Sequence, residues 1–370
     1  MQKKIIALAI AAAFSAPAMA DVTMYGIVDA AVARVSAAGQ KSDILAVSGG
    51  LSGSRIGAKT AEDLDNGMKA VVVLEYSLDT EQASASNAAG AGTSGVGAAR
   101  QQMLAVAGGF GTVATGYLQT TGYDWQVKFD PTAGSTVSPL QNVTKGGGFY
   151  TGSAAGAARL GRALAYISPD MGGVTVAVNY TTAVAAGLGN LTMNDQTQAG
   201  KKTTAYMVSA NYTGVDKLVV GGVFTSVNPS SDYTSGVRET SLGASYDLGV
   251  AKLFATYQMQ GIGGATASNK TQSASAVVPV GPGAVAVSYA RISKGSTVNV
   301  ADGAKGFTVA YLQGLSKMTT AYAAFSRMNQ DRGTSAYSVF TNGVAASAAP
   351  GWTNGGGNST QIAVGLKKAF

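Results

Sequence analysis

Two residue types are missing from this chain of 370 residues. It contains no cysteine, so it has no disulfide framework and no thiolate nucleophile or metal ligand. It also contains no histidine, which removes the commonest general base and the commonest metal-binding side chain. Without these residues a Ser-His or Cys-His nucleophile cannot be assembled. We therefore expect no metal site, no cofactor and no enzyme of those common types.

Charge is also scarce. Charged residues make up 12 % of the chain, about half of the ~25 % typical of soluble domains, whereas hydrophobic residues make up 46 %. The net charge is only +7, and no clustered basic face with interleaved aromatic residues is present, so we expect no nucleic-acid partner. Low charge without long apolar runs indicates strands that alternate between a lipid face and a water face.

The chain lacks an apolar run long enough to form a transmembrane helix. The run from Ile5 to Phe14 is too short, follows two lysines and precedes the small residues around Ala18 and Ala20, as is typical of a cleaved secretory signal. We therefore predict a signal peptide at residues 1–20 and a single mature domain at residues 21–370. Such an exported chain would be secreted, periplasmic or an outer-membrane barrel.

The last ten residues alternate between two faces. Ile362, Val364, Leu366 and Phe370 lie on one side of an extended strand, and small or polar residues lie on the other. Alone, this pattern fits an ordinary half-buried strand as well as the closing strand of an outer-membrane barrel. In such a barrel the last strand pairs with the first, so that no edge remains.

Short and long connections alternate along the chain. Seven short ones contain the Gly, Asp, Asn and Pro residues of tight turns, near residues 62–67, 108–111, 169–173, 214–217, 247–249, 280–283 and 314–317. Eight long polar stretches lie near residues 36–42, 82–98, 119–158, 187–201, 229–236, 263–270, 294–304 and 329–359. Fifteen connections predict an all-β fold, a 16-stranded antiparallel transmembrane β-barrel with short periplasmic turns and long extracellular loops. An even strand number puts both termini on the short-turn rim.

Alternation within a strand assigns its side chains to lipid or to lumen. In residues 68–77, Leu74 shares a face with the apolar Met68 and Tyr76, whereas Glu75 lies on the other face and is predicted to point inward. Several tyrosines lie near strand ends, where aromatic girdles form at the membrane surface: Tyr246, Tyr257, Tyr289, Tyr311 and Tyr322. Ordinary β composition is the alternative interpretation of these tyrosines.

Arginines near strand starts are candidates for pore function. Arg55 lies on the face opposite Ile56, Arg100 begins the strand after the second long loop, and Arg159 and Arg162 begin the strand after the third. A charge on the lipid side costs about 2–4 kcal/mol at mid-depth, so these side chains are expected to face water. We expect Arg55 in the lumen, and for the other three a rim position with snorkelling side chains is an equal alternative.

The third long loop, about residues 119–158, is the candidate constriction because loops of that length are usually functional. Folded into the lumen, it would place Asp124 and Asp130 opposite the wall arginines. A constriction of that kind sorts solutes by size and ions by charge. Folded outward, it would be a surface loop, and the sequence pattern alone leaves both arrangements open.

Five segments, in order from the first strand to the last residue, resemble the trimeric general porins of β-proteobacteria. They are Val22-Thr23-Met24-Tyr25-Gly26-Ile27-Val28-Asp29, Gly49–Gly57 followed by Glu62-Asp63-Leu64, Gly109–Val113, Ser168–Gly173 and Gly365–Phe370. The resemblance therefore spans the mature chain. It implies sixteen antiparallel strands, a homotrimer and a third loop folded inside each pore.

The resemblance also implies roles for individual residues. Arg55, Arg100 and Arg159 would be wall arginines of the constriction, faced by the acidic residues of the third loop. Members rich in such arginines tend to prefer anions. The chain departs from the family at Tyr117-Leu118, where relatives often carry an arginine, and at Ile56, where Trp or Phe is common. It also departs at Arg162–Tyr166, which lacks the Asn/Ser pair usual before the tyrosine. The loss of one wall cation bears on ion preference and not on the fold.

We predict an outer-membrane porin, a homotrimeric, lipid-embedded, water-filled channel for passive diffusion of small hydrophilic solutes and inorganic ions, with mild anion preference. The residues predicted to form its constriction are Arg55, Arg100, Arg159, Arg162, Glu75, Asp124 and Asp130. Three alternatives stay open: a substrate-selective anion channel, a plugged barrel acting as an adhesin, and a barrel enzyme. Saturable block of the current, absence of current and hydrolase activity would distinguish them.

Overall fold

A computed structural model describes residues 22–38, 41–81, 97–152, 158–182, 204–228, 236–263, 267–293, 303–330 and 358–370. The strands are β1 (Thr23–Ala37), β2 (Asp43–Ser48), β3 (Arg55–Asp63), β4 (Lys69–Ser77), β5 (Ala99–Gly108), β6 (Gly111–Gln119), β7 (Arg159–Ile167), β8 (Val174–Thr181), β9 (Thr204–Tyr212), β10 (Leu218–Asn228), β11 (Val237–Asp247), β12 (Lys252–Ile262), β13 (Asn269–Val280), β14 (Gly283–Ser293), β15 (Ala304–Ser316), β16 (Thr319–Gln330) and β17 (Asn358–Ala369). Two α-helices, α1 (Thr121–Phe129) and α2 (Pro139–Gly146), lie in the third long loop, and a short 3-10 helix (Asp65–Gly67) lies in the first turn.

The sheet closes on itself through its first and last strands. β1 and β17 pair in antiparallel register from Ile27 opposite Ala369 to Ala37 opposite Ser359. Next to the Ile27–Ala369 pair, the Gly26 N–H donates to the Phe370 carbonyl at 3.0 Å, and the Phe370 N–H donates to the Gly26 carbonyl at 3.1 Å. Closure satisfies the backbone groups of both strands, which a structure in lipid requires. The predicted role of the last ten residues is confirmed.

The seventeen strands occupy sixteen positions around the barrel, because β2 and β3 share one. Both pair with β1, β2 with its second half and β3 with its first half. Residues 49–54 separate β2 from β3 and belong to neither strand. The predicted 16-stranded antiparallel barrel is therefore confirmed, with a second strand that is broken.

The predicted connections fall between strands as expected. All seven short turns join neighbouring antiparallel strands, and the eight long stretches fall, in sequence, between the opposite ends of these strands. Several proposed loop segments, including residues 187–201 and most of 329–359, lie outside the described residues, as does the predicted signal peptide. Within the described part of the chain, no helix is long and apolar enough to cross a membrane.

Apolar side chains cover the outside of the barrel and small or polar ones line the inside. In β17, Ile362, Val364 and Leu366 are exposed, whereas Gln361 and Ala363 are fully buried. Four of the five girdle tyrosines are exposed on the outer face: Tyr246, Tyr257, Tyr289 and Tyr311. Tyr322 is an exception, because it lies on the inner face, is only 4 % exposed, and donates to the Asp29 carboxylate at 2.6 Å. Its assignment to the girdle is therefore wrong.

The third long loop lies inside the barrel. Helix α1 contacts β8 to β12, and helix α2 contacts β13 to β16, so the loop follows the inner wall around half of its circumference. Buried apolar side chains of the loop, such as Trp125, Phe129 and Leu140, pack against inward-facing apolar residues of the wall. This inward arrangement was one of the two that the sequence left open.

Candidate pore constriction

Glu75 and two arginines form the centre of the site. The Glu75 carboxylate lies 2.7 Å from Arg100 Nε and 3.6 Å from Arg55 Nε, and it accepts a hydrogen bond from the Tyr25 hydroxyl at 3.1 Å. Arg55 also donates to the Gly53 carbonyl at 3.0 Å, which fixes its side chain at the start of β3. One carboxylate thus neutralises part of the charge of two guanidinium groups, and an excess positive charge remains.

Arg100 reaches Glu75 because of a β-bulge. Glu75 pairs with Gln101 and Tyr76 pairs with Ala99, so Arg100 is the extra residue on β5. Simple alternation would place Arg100 on the side of Leu104, which is 54 % exposed on the outer face. A bulge redirects the side chain of its extra residue, and here it brings Arg100 into the lumen.

Arg159 meets the third loop at the start of helix α1. Its guanidinium carbon lies 4.1 Å from the ring centroid of Tyr123, a cation–π arrangement. Its Nη2 donates to Gln119 Oε1 at 3.2 Å, and Gln119 Nε2 donates to Asp124 Oδ1 at 2.5 Å. Gln119 therefore bridges Arg159 and Asp124, which places the Asp124 carboxylate on the arginine side of the site.

The loop groups titrate differently from free side chains. Burial raises the pKa of Asp124, and this effect exceeds the opposing hydrogen bond from Gln119 and the charges of Lys128 and Arg159. Burial acts to raise the pKa of Tyr123 as well, but the charges of Arg159, Arg100 and Arg55 outweigh it and lower that pKa. The lowered pKa of Tyr123 thus reflects its closeness to the three arginines.

The structure does not bring two of the predicted residues to this cluster. Asp130 accepts hydrogen bonds from the Thr132 N–H at 2.9 Å, the Thr132 hydroxyl at 2.7 Å and the Ser138 hydroxyl at 2.5 Å, so it organises the turn between α1 and α2. Arg162 is exposed and lies at a second bulge, where its φ of 49° is in the left-handed region. Among the described residues neither contacts Glu75 or the other arginines.

Helix α1 is seated on a flat patch of the wall. Gly221 and Gly243 face each other across β10 and β11, and a Cβ on Gly243 would collide with the ring of Phe129. The indole N–H of Trp125 donates to the Gly221 carbonyl at 3.2 Å. The two glycines are therefore required for the close approach of the helix to the wall.

Polar wall residues hold the rest of the loop by its backbone. The Glu239 carboxylate accepts the N–H groups of Tyr150 at 2.7 Å and Thr151 at 2.8 Å, and Gln260 donates to the Gly148 carbonyl at 2.8 Å. Before helix α2, the Thr308 hydroxyl of β15 donates to the Val137 carbonyl at 2.5 Å. The loop is thus tied to the wall on both sides of helix α2.

The break in the second strand position is also ordered by a carboxylate. Asp29 accepts the N–H groups of Leu51 at 3.0 Å and Ser52 at 2.7 Å, in addition to the Tyr322 hydroxyl. The Gly50 carbonyl in the same segment accepts the Thr136 N–H of the third loop at 3.3 Å. Because Arg55 follows this segment directly, Asp29 helps to define where β3 and its arginine begin.

Sequence reasoning missed several residues of the site. Tyr25 lies in one of the segments that resemble the porin family, but the sequence pattern around it does not indicate its hydrogen bond to Glu75. Tyr123 and Gln119 are uncharged and were not selected as candidates. Tyr123 precedes Asp124 and Gln119 ends β6, and these positions were the only sequence signals for their contacts with Arg159 and Asp124. The arrangement as a whole is a cluster of three arginines, one paired carboxylate and one loop carboxylate. Charged groups that line a channel set its ion preference.

Comparisons with known proteins agree with this architecture. A family model described as Gram-negative porin matches residues 7–334. The chain is 28 % identical to outer membrane porin protein 32 of Delftia acidovorans over 393 residues, covering 100 % of both chains. It is similar in structure to an anion-selective porin from Comamonas acidovorans, with a TM-score of 0.72, 23 % identity and coverage of 95 % of this chain and 100 % of that one. It is also similar to a trimer form of OmpT of Vibrio cholerae, with a TM-score of 0.64, 12 % identity and coverage of 95 % and 99 %.

The chain belongs to the Gram-negative porin family. It is a β-barrel channel of the outer membrane, through which solutes and ions pass passively.

Proposed function

We propose that this porin prefers anions and that Arg55, Arg100 and Arg159 set the preference. The observation that supports this proposal is the unequal pairing at the constriction, where Glu75 is shared by two arginines and Arg159 lies against the aromatic ring of Tyr123. The excess positive charge attracts anions and repels cations as they pass. The name of the similar porin from Comamonas acidovorans, which is anion-selective, supports the same assignment.

The experiment is a planar-bilayer recording of the refolded protein in a salt gradient. A reversal potential on the anion side would support the proposal, and neutralisation by Arg55→Gln or Arg100→Gln should move it toward zero. Arg162→Gln is the matched control, because Arg162 is exposed and lies apart from Glu75. A cation-side reversal potential in the unaltered protein would refute the proposal.

A substrate-selective anion channel is the second candidate, because clustered guanidinium groups can bind a carboxylate or phosphate in bidentate fashion. Saturable block of the chloride current by one small organic anion, relieved in Arg100→Gln, would favour it. A current that stays proportional to the concentration of every anion tested would favour the general porin. We expect no enzymatic activity, and a hydrolase assay on the folded barrel checks this expectation.

We further propose that the functional unit is a homotrimer of chains that begin at residue 21. A similar outer-membrane protein that forms trimers and the matched porin family support the oligomer. Conductance increments in groups of three and a cross-linked species of three subunits are expected. The N-terminal sequence of the protein purified from outer membranes tests the cleavage site.

A further inference from the structure

Four cations form a strip on the outer face of the barrel, at the long-loop ends of four adjacent strands. They are Lys270 on β13, Arg291 on β14, Lys305 on β15 and Arg327 on β16, and three of them are exposed, with Arg327 half-buried. Each alternates with a buried, inward-facing neighbour, so each side chain points away from the lumen. This strip plays no part in the constriction.

The cations of the strip are close neighbours of one another. Arg291 and Lys305 are directly opposite in the β14–β15 register. Lys270 is diagonal to Arg291 across β13–β14, and Arg327 is diagonal to Lys305 across β15–β16. Like charges placed opposite each other on a sheet are destabilising, and diagonal positions are within reach of long side chains.

No carboxylate balances this strip within the described residues. The sequences of β13, β14, β15 and β16 contain no Asp or Glu. Arg291 donates to Gln272 at 2.5 Å and Arg327 donates to Asn329 at 3.0 Å, so the neighbouring groups that hold the arginines are neutral amides. Among the described residues, the strip therefore carries positive charge that no carboxylate of its own strands neutralises.

The strip lies directly above the apolar band of the barrel. Three of the cations have an aromatic residue two positions closer to the short-turn rim on the same strand: Tyr289 for Arg291, Phe307 for Lys305 and Phe325 for Arg327. The ring centroids of Phe307 and Phe325 lie 5.6 Å apart. Two residues of a strand span about 7 Å, so the cations stand just outside the depth that aromatic side chains mark as the membrane surface. At this depth the anions are lipid headgroups.

We propose that the strip of Lys270, Arg291, Lys305 and Arg327 binds the phosphate groups of an anionic lipid in the outer leaflet. The proposal rests on the outer-membrane location of the barrel and is independent of its ion preference. Phosphates between neighbouring strands would neutralise the repulsion between Arg291 and Lys305. Guanidinium and ammonium groups are the side chains that bind phosphate most strongly.

The test uses the refolded full-length protein and lipid A that carries phosphate groups, titrated in neutral detergent. The double variant Arg291→Gln with Lys305→Gln should bind this lipid about thirtyfold more weakly, from roughly a fivefold effect for each cation near an anionic surface. The matched control is Arg34→Gln with Arg238→Gln, which removes two exposed outer-face cations on β1 and β11, apart from the strip. The control should bind the lipid nearly as well as the unaltered protein.

Thermal unfolding supplies a second readout, in which the effect of the strip variant changes sign when the anionic lipid is added. Without anionic lipid, the strip variant should unfold at a higher temperature than the unaltered protein, because a like-charge pair has been removed. With lipid A, the order should reverse, and dephosphorylated lipid A should not reverse it. Equal losses of lipid binding in both double variants, or no loss in either, would overturn the proposal. A shift from trimer to monomer with unchanged lipid binding would also overturn it and would assign the strip to a subunit contact.

Discussion

Replacing Glu75 by Gln is the sharpest test of charge control at the constriction. The carboxylate lies 3.6 Å from Arg55 and 2.7 Å from Arg100, and the substitution removes its charge while keeping its size. With Arg159 and Asp124 included, the local charge changes from +1 to +2 when all of these groups are ionised. We expect the variant to prefer anions more strongly than the unaltered channel.

The magnitude follows from Coulomb's law. In water, the interaction energy between a unit charge and a monovalent ion about 8 Å away is about 0.5 kcal/mol before screening by salt. Screening over one Debye length reduces this energy to about 0.2 kcal/mol. Because the energy has opposite sign for anions and cations, the anion-to-cation permeability ratio should rise about twofold to fivefold.

The assay is the reversal potential of single channels in a potassium chloride gradient. Glu62→Gln is the control, since Glu62 is exposed near the short-turn rim, seven positions from Arg55 along β3 and thus about 23 Å away. It should shift the reversal potential far less than Glu75→Gln. If folded Glu75→Gln channels kept the original reversal potential at low and high salt, the constriction would not be the source of selectivity.

Three further variants test the loop and its charges. Gly243→Val should increase open-channel current noise because its side chain would collide with Phe129 and unseat helix α1, whereas Gly222→Val on the outer face should leave the noise unchanged. Glu239→Gln should lower the free energy of unfolding by about 1–3 kcal/mol, measured by denaturant titration, because an acceptor of a backbone N–H becomes a donor. Burial raises the pKa of Asp124, so it gains its proton above the usual value near 4 as the pH falls. Anion preference should therefore rise on acidification in the unaltered protein and rise less in Asp124→Asn; equal pH profiles would contradict this assignment.

The fold was predictable because its rules are local. Hairpin turns need particular residues, lipid requires alternation, and each of these can be read within a few positions of the chain. The break at residues 49–54 was not predictable in this way. It depends on Asp29, whose partner Tyr322 lies 293 positions away in sequence. The same contact explains why Tyr322 was misassigned to the outer girdle.

The site was predictable only in part, because bulges change the face of a strand without a clear mark in the sequence. Glu75 and Arg55 follow regular alternation, which places both side chains on the same face of their strands, where they pair. Arg100 reaches the lumen through a bulge, and Arg162 lies at another bulge with an unusual backbone conformation. For Asp130, the nearby Thr132 could have indicated a local turn, since Asp side chains often bind the backbone two residues further on.

The partners of the buried carboxylates distinguish structural from functional charge. Asp29, Asp130 and Glu239 accept hydrogen bonds mainly from backbone N–H groups and hydroxyls, and each orders a segment that would otherwise lack a regular ladder. Glu75 instead pairs with two guanidinium groups. A carboxylate bound by neutral dipoles fixes a backbone, whereas one shared between cations adjusts the field that a passing ion meets. The four acids look alike in the sequence, so substitution of Glu75 should change selectivity before stability, and substitution of Asp29 or Glu239 should do the reverse.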